Sequence, residues 1–234
     1  MIENQFDEYA LTYPTGSKDE LPSLIRIGSY KRYNAEDVPV MLPLEAINGL
    51  CFVTNAQTRD DALRQMQYIA LSLLKQVSPE LLKFTFVDMG VKNNFPLQSL
   101  KEYNLKFIKD VDNLKREIET LANKAREIST CFGGEYRNLK EYNQNTEHKE
   151  PYHILFIANF PNKFSEEEIN SVNELINECA DYGIRIIMNL DKEFYPDDKG
   201  YDKNRFAKLY AIPNQMVHLD CTLTIKKKND IFDW

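Results

Sequence analysis

The residues best placed to do chemistry lie in "LCFVTNAQTRDDAL" (Leu50–Leu63), where an apolar run meets a polar turn and then a long helical pattern. That outline is the one used to hold a nucleotide phosphate. A P-loop of the form G-x-x-x-x-G-K-[ST] needs glycines so that backbone N–H groups can wrap the anion. It also needs a lysine for charge and a hydroxyl for magnesium. The turn Asn55-Ala56-Gln57-Thr58-Arg59 has no glycine and no lysine. Thr58 offers a hydroxyl and Arg59 a positive charge, but the simpler reading makes Thr58 a helix N-cap and Arg59 a surface charge.

Two further strand ends carry candidates. "KFTFVDMG" closes on Asp88, which suits magnesium or a polarised water, although an Asp in that place commonly bonds turn amides instead. "HILFIANF" (His153–Phe160) has the apolar half of a Walker B strand, after which an ATPase places an Asp for magnesium and a Glu to activate water. Here Ala158 and Asn159 follow, and neither can carry negative charge. "IRIIMNL" (Ile184–Leu190) ends in Asn189 and is followed by Asp191, a weaker polar end. There is no G-x-S-x-G, H-E-x-x-H or G-x-G-x-x-G motif, and the three histidines form no metal-ligand spacing.

The elements that must position these residues follow from periodicity. "GLCFVT" (Gly49–Thr54) is a continuous apolar run, as expected of a strand covered on both faces. Ala62, Met66, Ile69, Ala70, Leu73, Leu74 and Val77 mark one face of a helix that Ser78-Pro79 ends. Strand Lys83–Gly90 comes next, then a helix from Asp110 to about Cys131, stopped by the Gly pair of "FGGEY". The stretch from there to Tyr152 reads as a turn and a polar connection. Its Tyr136 and Tyr142, with Tyr103, offer a contact surface. Ser165 with Glu166–Glu168 starts a third helix, Tyr182-Gly183 stops it, and Ile184–Leu190 is a fourth buried strand. Upstream, Ser23–Tyr30 and Val38–Leu44 read as extended. Downstream, a polar loop leads to one or two strands within Met216–Lys227. Strands alternating with helices predict a three-layer α/β domain with a mainly parallel sheet over residues 23–234, preceded by an acidic extension at 1–22.

Composition excludes several classes. The 234 residues hold 29 Lys+Arg against 36 Asp+Glu, a net charge of -7, so the basic excess of a duplex-binding surface is missing, and "KKK" at Lys226–Lys228 is too short to replace it. Cys51, Cys131, Cys179 and Cys221 form no C-x-x-C pair, which suits reduced thiols in a cytoplasmic protein. No apolar run approaches the ~20 residues of a membrane span, so no direct membrane contact is expected.

Several pieces together resemble a known family. "VMLPL" (Val40–Leu44), Arg59 with Ala62, "PELLKFTFVD" (Pro79–Asp88), "RNLKEYN" (Arg137–Asn143) and "EPYHILFIANFP" (Glu150–Pro161) follow the landmarks of the FtsK/SpoIIIE-like motor domain. This is the RecA/FtsK-type branch of the P-loop NTPase fold, whose active members form rings and translocate DNA or, in type VII secretion, protein. The likeness spans about Pro22 to Asp191 and is closest to degenerate modules of large bacterial proteins. Aligning on the first strand puts the P-loop on Asn55–Arg59. Aligning on "PY" puts the Walker B acids on Ala158 and Asn159. The resemblance therefore implies a degenerate nucleotide site without catalytic residues, cofactor or metal. It implies an assembly or regulatory role beside active ATPase modules of the same or another chain, and DNA as cargo of the full assembly but not as a ligand of this chain. Two other readings stand beside it: a divergent ATPase binding ATP and Mg through Arg59 and Asp88, with Asp191, and a nucleic-acid-binding subunit without ATPase activity.

Overall fold

The computed structural model describes residues 20–30, 38–44, 48–98, 100, 103 and 105–194, with the strand segments 215–219 and 225–227. Strands β1 (Ile25–Tyr30) and β2 (Val38–Leu42) pair as an antiparallel hairpin. The remaining strands form one seven-stranded sheet. They are β3 (Gly49–Thr54), β4 (Leu82–Val87), β5 (Leu105–Ile108), β6 (Tyr152–Phe160), β7 (Ile184–Asp191), β8 (Gln215–Leu219) and β9 (Ile225–Lys227), in the spatial order β5-β4-β6-β7-β3-β8-β9. Every pairing in this sheet is parallel except β8 with β9. The expected mainly parallel α/β sheet is therefore the architecture found.

The helices are α1 (Arg59–Gln76), α2 (Val111–Phe132), α3 (Leu139–Asn145) and α4 (Glu166–Glu178). Alternate strand residues feed two cores. Leu50, Phe52, Phe84, Phe86, Ile154 and Phe156 pack with Met66, Ile69 and Leu73 of α1, and with Ile25, Ile27, Val40 and Leu42 of the hairpin. Cys51, Val53, Leu155, Ile157, Ile186 and Met188 face the opposite way, onto Leu114, Ile118 and Leu121 of α2 and Ile169, Val172 and Ile176 of α4. That is the layered solution for a sheet buried on both sides, and burying each such side chain is worth roughly 1.5–3 kcal/mol.

Local signals account for most boundaries. Asp110 caps α2 by accepting from the Asn113 amide at 2.8 Å. Gly133 ends that helix at φ 55, the left-handed conformation only glycine adopts freely. Ser165 and Glu168 form a reciprocal capping box on α4. Three features depart from the sequence reading. The stretch read as a polar connection contains α3, capped by Asn138 accepting from the Glu141 amide at 3.0 Å, with Leu139, Tyr142 and Asn143 buried. Strand β5 was not expected at all. The proposed tyrosine surface does not form as such: Tyr142 is buried and tilted against Phe132, and Tyr136 meets both rings edge-to-face beside a core cluster that Tyr103 also borders. Of the thiols, Cys51 and Cys179 are buried, burial pushing Cys51 up to about 12, whereas Cys131 is exposed. Residues 1–19, residues 195–214 and Cys221 lie outside the described residues, as does Lys228 of the lysine run.

Candidate functional site

Because β3, β4, β6 and β7 run parallel, the sheet collects their candidate residues along one carboxyl edge. Thr54 pairs in register with Asp191, so the turn after β3 and the end of β7 are direct neighbours. β7 lies between β3 and β6, and β4 lies beyond β6.

The turn after β3 is organised by Asn55. Its side-chain oxygen accepts from the amides of Gln57 at 2.9 Å and Thr58 at 3.1 Å, and its carbonyl accepts from Arg59 N at 3.0 Å. The Asn55 amide donates to the Thr58 hydroxyl at 3.1 Å, and that hydroxyl donates back to Asn55 Oδ1. The amides of Asn55, Gln57, Thr58 and Arg59 thus all donate inside the turn, where a P-loop would aim its amides at phosphate. Thr58 holds the N-cap position in α-helical backbone without capping through its side chain, which corrects the simple cap expected of it. Ala56 is exposed and adds no polar side chain to the turn.

Arg59 is not the free surface charge its position suggested. Its guanidinium bonds the carboxylates of Asp191 and Glu193 and lies over the Phe194 ring, 5.5 Å from the centroid. The Asp191 hydrogen bond, with Glu193 adding to it against the opposing effect of burial, holds the guanidinium above its ordinary pKa. Asp191 is fully buried and also accepts from the Glu193 amide at 3.0 Å, while Lys192 N donates to Thr54 O at 2.9 Å. Segment 191–194 is thereby fastened across the start of α1.

Beside this clasp runs a neutral polar ladder. The buried Asn189 amide donates to the Thr54 hydroxyl, and its oxygen accepts from Asn159 N at 2.6 Å. Asn159 interrupts the β6–β7 register and sits at φ 54, a left-handed conformation that asparagine tolerates better than most residues. Ala158 contributes only a methyl group to the α1-side core. The positions that the resemblance assigns to catalytic acids therefore hold an apolar contact and a neutral amide.

Asp88 is set apart from these groups and is already engaged. Its two oxygens accept from Asn94 N at 2.8 Å, Asn94 Nδ2 at 2.9 Å, Gly90 N at 3.2 Å and Lys109 Nζ at 3.0 Å. It is buried and pins the loop Met89–Asn94, which is tied further by Lys163 to Met89 O at 2.8 Å and by Lys92 to Asp60. Arg59 and Asp88 belong to two separate internal networks, and no hydrogen bond or ion pair joins them among the described residues. No group of three or more His, Cys, Asp or Glu with metal-binding geometry is found among the described residues.

Sequence reasoning missed Glu193 and the linking role of Asn189. One signal was present: Asn189 and Asp191 share strand parity with Ile187, whose side chain lies on the α1 face. Pairing across 132 positions, from Arg59 to Asp191, has no local signature.

No family model matches the sequence, and no curated protein does. Solved structures share the fold. ATPases 2 and 3 of EssC from Geobacillus thermodenitrificans superpose with a TM-score of 0.65 at 17% identity, over 86% of this chain and 38% of that one. ATPases 2 and 3 of Thermomonospora curvata EccC, in complex with a signal sequence peptide, give 0.61 at 14% identity over 84% and 36%. The pCW3 conjugation coupling protein TcpA, in monomer form with ATPγS, gives 0.60 at 13% identity over 89% and 59%. The fold is that of FtsK/SpoIIIE-type P-loop ATPase domains, and the chain spans about two fifths of the EssC and EccC chains it resembles. No helix among the described residues is long and apolar enough to cross a membrane.

Proposed function

We propose that this chain is a module that keeps the FtsK/SpoIIIE-type ATPase fold without its nucleotide chemistry, and that it serves assembly or regulation. It packs against active ATPase modules, in the same polypeptide or another, of a secretion- or conjugation-type translocase in the cytoplasm. One observation carries the reading: the turn amides after β3 and the charged side chains Arg59 and Asp88, the groups best suited to meet a nucleotide, are spent on internal partners. The turn amides donate to Asn55 and Thr58, Arg59 is held by two carboxylates, and Asp88 is held by Asn94, Gly90 and Lys109. Preorganised donors and a metal clamp supply most of the stabilisation in phosphoryl transfer, and each loses its value when it must first break an internal bond.

The same occupancy weighs against a divergent ATPase built on Arg59 and Asp88, since both would have to abandon buried partners. The acidic balance weighs against a nucleic-acid subunit, because nonspecific affinity comes from neutralised phosphates. The test is magnesium-dependent ATP hydrolysis by the purified chain. Phosphate release at the buffer background is expected. Release that Asp88→Asn quenches would overturn the proposal in favour of the divergent enzyme.

A further inference from the structure

We draw no further inference here: the strongest candidate, the side-chain cluster of Thr54, Asn189 and Asn159 at the ends of β3, β7 and β6, where the buried Asn159 Oδ1 has no partner, belongs to the carboxyl edge already described and points to no class of ligand beyond water.

Discussion

The turns that follow β3 and β4 are built on one plan and finished in two ways. In each, a single side chain at the strand end gathers the amides that come after it: Asn55 gathers Gln57 and Thr58, and Asp88 gathers Gly90 and Asn94. The neutral hub needs no counter-charge, and the guanidinium that follows it, Arg59, is turned away to Asp191 and Glu193. The ionised hub is buried and has Lys109 drawn onto it. Both turns therefore arrive at closed hydrogen-bond accounts, one through an amide and one through a carboxylate with its ammonium partner. The difference teaches that tying up the amides of such a turn takes no bulky plug. A side-chain acceptor of the right length is enough, because turn amides give their protons to the nearest oxygen.

The largest effect should come from the charged hub. Asp88→Ala strands the Asn94 amide, the Gly90 amide and Lys109 at once, and should cost about 3 kcal/mol in chemical denaturation, with Asp88→Asn recovering part of it. A loss below ~1 kcal/mol would mean the hub is replaceable by solvent and the contrast between the turns is overstated.

The opposite end of the sheet provides a reference for that charge effect. His153, at the start of β6, is mostly buried, and burial, helped by Lys83 and Lys124 and opposed by Glu117 and Glu150, lowers its pKa to about 4 from 6.5. In the unfolded chain the imidazole takes up its proton near 6.5, so between pH 6.5 and 4 the unfolded state binds more protons than the fold. Stability contributed by the neutral imidazole is complete above pH 6.5 and is lost as pH falls toward 4, by about 2 kcal/mol after allowing for residual solvent contact. A urea series over this pH range should show that slope, and His153→Gln should flatten it. An unchanged slope in the variant would rule out His153 as its source.

Asn55→Ala is the mildest of the three. It removes a neutral acceptor from two amides at a half-exposed turn, and should cost about 1 kcal/mol, as helix-capping losses do. Equality with Asp88→Ala would erase the difference between the hubs.

Much of this architecture was legible before any coordinates. Gly49–Thr54 and the helix that follows fall where the apolar spacing puts them, because both are long, strongly patterned and bounded by turn residues. Two elements escaped for physical reasons. β5 has four residues, "LKFI", too few for its alternation to stand out, and its pairing to β4 is supplied by the sheet. α3 offers only Leu139, Tyr142 and Asn143 to the interior within a polar run, although Asn138 and Glu141 are spaced as a helix start. At the edge, the lack of glycine and lysine in Asn55–Arg59 and of acidic residues at Ala158-Asn159 was visible. Where Arg59 would go was not visible, since Asp191 reaches it only through the neighbouring of β3 and β7.

The central claim is that the carboxyl edge is closed to nucleotide, and isothermal titration of ATP with magnesium into the purified chain tests it most directly. A flat trace at millimolar nucleotide is the expected result. A saturable heat that disappears in Arg59→Ala or Asp88→Asn would contradict it, because those side chains would then be leaving Asp191 or Asn94 to hold the ligand.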